Sequence, residues 1–315
     1  MLQFNAENYQ AIFETNFFPL EISIMDHMGG FDVEFKNSIL DHISSVVTQP
    51  TTILTYYIVN DYVKKNYPNL IFKLDPFQGR LCQLFNTYTQ HPTIELENFI
   101  CSFNGSDHVS RKLLVSILQK FGYFSLDYCS KNFTYTTDIL DGHIHDYVSD
   151  DNSFFRKFFI SDDSEEFFQS INSFGHVRYK HNKNIYNLES KLTKSFLHIV
   201  SETMATNCHP FISEKPFYSI VTRGLFVSYA QPGWHEHFEK YVGFKKYTKL
   251  FDYRFDNIQN PVERLVELVT MIGKFSKLTP FEWHDLYLIE QDNIEFNYDH
   301  YFSKNYLAEL KKYEN

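Results

Sequence analysis

Short apolar runs rich in β-branched and aromatic residues alternate with stretches of helical spacing in both halves of the chain, and this alternation limits the possible folds more than any other feature. Residues 18–25, 52–59 and 70–74, and then 98–103, 196–201 and 225–230, read as strands. Asp26, His27 and the Gly29-Gly30 pair end the first of these before helical spacing resumes at 33–43. Strands that alternate with helices build parallel sheets covered on both faces, and the ligands of such sheets sit beyond the carboxyl ends of the strands. The expected class is therefore α/β, with two facing Rossmann-like units at 1–96 and 97–300 and a last helix, 301–315, able to cross back to the first unit. A chain of 315 residues is long enough to give each unit its own core.

The second unit is the more legible. After the strand at 98–103, Asn104-Gly105 turns the chain, and Ser106 or Asp107 is placed to cap a helix with Val109, Leu113, Leu114, Ile117, Leu118 and Phe121 on one face. Gly122 closes that helix, and residues 123–128 read as a further strand. The acidic stretch 130–165 reads as surface loops. Arg223-Gly224 stops a short helix, and Pro232-Gly233 turns into another that Gly243 ends. Asn260, Pro261 and Glu263 form a strong helix start. Residues 281–299 and 304–313 read as two closing helices.

Charge and composition narrow the function. The net charge of −10 argues against a protein held on nucleic acid by its overall field, although basic and aromatic residues interleave at Lys64-Lys65-Asn66-Tyr67, at 178–183 and at Lys245-Lys246-Tyr247. The amino terminus lacks a basic start followed by an apolar run, and no stretch of roughly 18 apolar residues appears, so neither a secretory signal nor a membrane span is expected and the setting is expected to be cytoplasmic. The four cysteines form no Cys-x-x-Cys pair. His143 and His145 lie in an acidic loop, and His235 and His237 stand two apart at a helix start where they do not share a face, so no metal site is expected. The 33 Phe and 22 Tyr are assigned to cores. Fingerprints of dinucleotide, P-loop, hydrolase and zinc-protease sites are absent from the sequence.

Two segments carry more. One is Phe-Ile-Cys-Ser-Phe-Asn-Gly-Ser-Asp-His-Val-Ser-Arg-Lys-Leu-Leu at 99–114. The other is Ser-Glu-Thr-Met-Ala-Thr-Asn-Cys-His-Pro-Phe-Ile-Ser-Glu-Lys-Pro at 201–216. In order and spacing they resemble the donor-binding half of the fucosyltransferase-like glycosyltransferases, including related viral and phage proteins, over about 97–130 and 190–300. The resemblance implies a GT-B architecture and a donor site that includes Asn104. It further implies that Arg111 and Lys215 contact the diphosphate, that Glu214 accepts from the donor ribose, and that Glu202 and Ser213 match the family's upstream glutamate and its usual threonine. Pro216 directly after the lysine and a longer 202–214 loop depart from the pattern, so neither fucose nor GDP is implied.

The chemistry agrees with that resemblance. Sugar transfer from a nucleotide diphosphate leaves negative charge on the departing group, which fixed cations stabilise without a metal or other cofactor. An inverting reaction also needs a base for the acceptor hydroxyl. Asp26, at a strand end beside the glycine pair, is the candidate, with a turn or cap aspartate as its alternative. The expected partners are a nucleotide-diphosphate sugar and a glycan or small hydroxyl acceptor. A phage-type enzyme acting on hydroxymethylated DNA bases is a rival reading, and a non-catalytic scaffold that kept the fold is another.

Overall fold

The computed structural model describes residues 2–5, 11–15, 17–25, 33–55, 61–74, 92–105, 109–125, 127–131, 185–202, 205 and 211–312. The first part holds strands β1 (Leu2–Asn5), β2 (Glu21–Met25), β3 (Thr51–Thr55) and β4 (Leu70–Leu74), with helices α1 (Ala11–Glu14), α2 (Val33–Val46) and α3 (Asp61–Asn66) between them. All four strands are parallel, in the order β1-β2-β3-β4. Register places Ile22 beside Ile53 and Ile53 beside Phe72, so these side chains line one face, buried with Ile39, Leu40 and Ile43 of α2.

The second part holds β5 (Asn98–Asn104), α4 (Val109–Lys120), β6 (Cys129–Lys131), α5 (Ile185–Thr193), β7 (Ser195–Ser201), α6 (Lys215–Val221) and β8 (Leu225–Tyr229). Next come α7 (Trp234–His237), running into a π-helical turn at Phe238–Val242, and a 3₁₀ turn at Tyr253–Asn257. Helices α8 (Pro261–Gly273), α9 (Pro280–Ile289), α10 (Gln291–Phe302) and α11 (Asn305–Lys312) close the chain. The sheet is again parallel, but its order is β6-β5-β7-β8. From β5 the chain goes outward to β6, then returns to the other side of β5 as β7 and continues to β8. Such a reversal opens a crevice between the carboxyl ends of the two central strands, here β5 and β7. Among the described residues the first sheet is wound in chain order and shows no such point.

A second buried cluster runs from Leu96 to Tyr306 and is separate from the first. Tyr306 of α11 lies in it and stacks on Tyr301, with ring centroids 5.4 Å apart. The start of α8 is held as its sequence dictates. Asn260 Oδ1 accepts from the backbone N–H of Val262 at 2.9 Å and of Glu263 at 3.2 Å, and Pro261 takes the first helical position. Gly122 and Gly243 adopt positive φ at the two expected stops.

Four details differ from the sequence expectation. Helix α4 is not one-faced: Ser110, Arg111, Lys112 and Ser116 are buried along with its apolar residues, because α8 and the sheet both pack on it, whereas Phe121 is exposed. Residues 123–125 are irregular, and the strand begins only at Cys129, after a turn in which Cys129 N–H donates to Ser125 O at 2.6 Å. The helix expected at 281–299 breaks at Glu290, whose buried carboxylate accepts from the N–H groups of Lys249 at 2.6 Å and Leu250 at 3.2 Å. Strand β1 was not anticipated.

Candidate functional site

The reversal of strand order concentrates polar side chains at the carboxyl edge of the second sheet. Asn104 ends β5 and Glu202 directly follows β7; both are fully buried. Asn104 is fixed on both sides, its N–H donating to Ser130 Oγ at 3.1 Å and its Nδ2 to Ser102 Oγ at 3.1 Å. Glu202 Oε1 accepts from Ser213 N–H at 3.1 Å. That bond draws the segment before α6 onto the strand end, although eleven residues of sequence separate its partners.

Ser213 then orients Lys215. Its Oγ accepts from the Lys215 N–H at 3.1 Å and from the Lys215 ammonium at 3.1 Å. The ammonium also lies 3.6 Å from Glu214 Oε1. These two side chains are the ones open to solvent, 20% exposed for Lys215 and 26% for Glu214. Arg111, from α4, is only 3% exposed, close enough to Glu214 and Glu202 to feel their charge.

The electrostatics tie the five together. Burial weakens the Arg111 guanidinium's hold on its proton, opposed by the nearby carboxylates of Glu214 and Glu202. Burial raises the Glu202 carboxyl above its usual range, against the pull of Lys215 and the bond from Ser213. Burial also acts to raise Glu214, but Lys215, a backbone N–H and Arg111 outweigh it and the carboxyl ends below its ordinary value. The site thus pairs a charged Glu214 with two cations, one partly exposed and one buried.

Of the expected site residues, Arg111, Glu202, Ser213, Glu214 and Lys215 come together here, and Asn104 stands at the adjoining strand end. Asp26 lies outside the described residues, as do His143 and His145. His235 and His237 are separated in role. His235 is buried, its Nδ1 bonded to Asp256 Oδ1 at 2.8 Å while Nε2 accepts from Ser228 N–H at 3.0 Å, which fixes the hydrogen on Nδ1. His237 bonds Gly233 O through Nδ1 at 2.7 Å. Among the described residues no group of three or more His, Cys, Asp or Glu side chains is placed to hold a metal. No described helix is long and apolar enough to cross a membrane. Of the basic and aromatic segments, 178–183 lies outside the described residues, Lys245 sits 4.2 Å over the Phe296 ring and Lys246 pairs with Glu239 at 3.1 Å.

Two contributors escaped the sequence reading. Arg264 of α8 is fully buried and donates to the carbonyls of Ala230 at 3.0 Å, Ile258 at 2.5 Å, Gln259 at 3.1 Å and Ala205. It thereby ties the loops that leave β7 and β8. A basic residue on the apolar stripe of α8, beside Leu265 and Leu268, is the signal that marks it. Gln231, just beyond β8, carries no such signal. Comparison of the chain with protein-family models, with curated proteins and with solved structures returns no match.

Proposed function

We propose that this protein is a glycosyltransferase that moves a sugar from a nucleotide-diphosphate donor to a hydroxyl acceptor. The observation that carries the reading is the gathering of Arg111, Glu202, Ser213, Glu214 and Lys215 at the carboxyl edge of the second sheet, beside the crevice its strand order creates. Dispersal of the same residues over the surface would have favoured a scaffold. In this reading Lys215 and Arg111 hold the diphosphate, so that the charge developing on the leaving group meets cations already in place. Glu214, held ionised by those cations, accepts hydrogen bonds from hydroxyls of the nucleotide. The first sheet supplies the acceptor side of a GT-B arrangement, and the acceptor is a glycan or small hydroxyl compound.

Two fixed cations at the leaving group make a divalent metal unnecessary. Release of nucleoside diphosphate from a panel of nucleotide sugars should therefore persist in excess EDTA. If EDTA abolishes release and magnesium or manganese restores it, this account of leaving-group stabilisation is wrong.

A further inference from the structure

Buried polar atoms in folded proteins nearly always have hydrogen-bond partners, so atoms without one mark places where another group belongs. Among the described residues, four such atoms stand at the carboxyl edge of the second sheet: Asn104 Oδ1 at the end of β5, Ser110 Oγ in the first turn of α4, Glu202 Oε2 beyond β7 and Gln231 Nε2 beyond β8. The last two form a pair. Gln231 is fully buried and its Oε1 accepts from Phe211 N–H at 3.3 Å, just as Glu202 Oε1 accepts from Ser213 N–H at 3.1 Å. Trp234 fixes the same loop, its Nε1 donating to Phe211 O at 2.9 Å and its N–H to Gln231 O at 3.2 Å. Glu202 N–H donates to Tyr229 O at 3.0 Å, which sets Glu202 beside the end of β8, two residues before Gln231, and both side chains reach the same three-residue segment. Each spends one atom on the segment 211–213. What remains is one acceptor, Glu202 Oε2, and one donor, Gln231 Nε2, on adjacent strand ends.

From this juxtaposition we infer that Glu202 and Gln231 together hold one neutral hydroxyl of the ligand, which donates to Glu202 Oε2 and accepts from Gln231 Nε2. The inference rests on the donor-site reading above and deepens it. An ester or phosphate oxygen brings no hydrogen for Glu202, and a methylene serves neither atom. Both residues are covered, so a ligand lacking the hydroxyl leaves two enclosed polar atoms unmatched, the situation in which discrimination is largest. The edge is thereby divided, with Lys215 and Arg111 toward the phosphates and the Glu202–Gln231 pair toward a hydroxyl of the ribose or of the transferred sugar.

Isosteric exchanges test this. Gln231→Glu keeps an oxygen for Phe211 N–H but replaces the donor with an acceptor; Glu202→Gln supplies a donor where an acceptor stood. The double variant restores one of each in exchanged positions, which a hydroxyl accommodates by turning round. Calorimetry on the wild type and the three variants would use UDP, GDP, ADP and CDP, their 2′-deoxy and 3′-deoxy forms, and their hexose conjugates, with thermal unfolding to verify each fold. Gln231→Glu should weaken binding of the hydroxyl-bearing ligand about tenfold or more, leave its deoxy counterpart unchanged, and be rescued in the double variant. Loss of preference for ribo over deoxy forms assigns the hydroxyl to the ribose, and loss of preference for the hexose conjugate over the diphosphate assigns it to the sugar. Equal weakening of all ligands, as expected of a loop contact or a resident water only, overturns the inference, as does an unchanged preference. If the wild type binds none of these compounds, the donor-site reading fails first and this inference falls with it.

Discussion

Arg264→Ala should destabilise the protein by about 3–5 kcal/mol, read as a shift of the urea midpoint at unchanged slope. The guanidinium is fully buried and donates to four backbone carbonyls from three separate stretches of chain. Truncation leaves those carbonyls without partners, at roughly 1–3 kcal/mol for each buried group that water cannot reach, and opens a cavity beneath them. Arg264→Lys should recover only part of the loss, because an ammonium cannot reproduce the planar fork that reaches separate acceptors. A loss below about 1 kcal/mol would show that the loops after β7 and β8 hold themselves. Nucleotide binding should fall with stability, since Ala205 and Ala230 belong to those loops.

The second large effect is acid sensitivity from His198 on β7. Its Nε2 is bonded to Leu192 O at 2.8 Å, and its ring lies so close to Gly224 that a Cβ there would stand 2.0 Å from Cε1. With the ring sealed in, burial pushes its pKa down to about 4 from an ordinary 6.5, against a smaller opposing effect of the Leu192 bond. The unfolded chain therefore binds a proton that the folded chain refuses between these two values. Stability from this residue is fully present above pH 6.5, is lost progressively as pH falls, and is gone by about pH 4, a total of about 3 kcal/mol. His198→Gln can still donate to Leu192 O, yet should lose about 3 kcal/mol less than wild type across that window. Parallel pH profiles for the two proteins would contradict the assignment.

The sequence legible in this way is the part whose physics is local. Short, nearly continuous apolar runs disclosed β7 and β8 because every residue of both strands is buried, and Asn260-Pro261 disclosed α8 because a cap satisfies its neighbours within three residues. Tyr123 and Phe124 misled for the same reason in reverse. Aromatic residues favour strands because they fit half-buried surfaces, and Tyr123 finds such a surface by packing edge-on to Phe99 at 5.2 Å without joining the sheet. Strand β1 is only four residues long and leaves too short a pattern to recognise. Glu290 broke a helix through bonds to Lys249 and Leu250, forty residues and more before it in the chain, and no spacing rule reports on such partners.

The candidate site divides similarly. Ser213, Glu214 and Lys215 are contiguous, and their mutual bonds follow from adjacency. The burial of Arg111 depends on α8 covering α4, a contact between segments far apart in the chain. Gln231 and Arg264 act on backbone atoms of distant loops, a role that leaves no periodic trace in the case of Gln231 and only a misplaced charge in the case of Arg264.

The central claim is that the carboxyl edge of the second sheet binds a nucleoside diphosphate through Lys215. Thermal unfolding of the wild type and Lys215→Ala, each with UDP, GDP, ADP or CDP and their sugars in EDTA, tests it most directly. A ligand at about a hundredfold its dissociation constant adds about 2.7 kcal/mol, which at this chain length raises the midpoint by several degrees. One base should produce that rise in the wild type. Lys215→Ala should need about 10- to 150-fold more of the same ligand, the loss of a charge-assisted contact worth roughly 1.5–3 kcal/mol, while unfolding at a similar temperature without ligand. A wild type that no nucleoside diphosphate stabilises at millimolar concentration, or an equal rise in both proteins, would contradict the account.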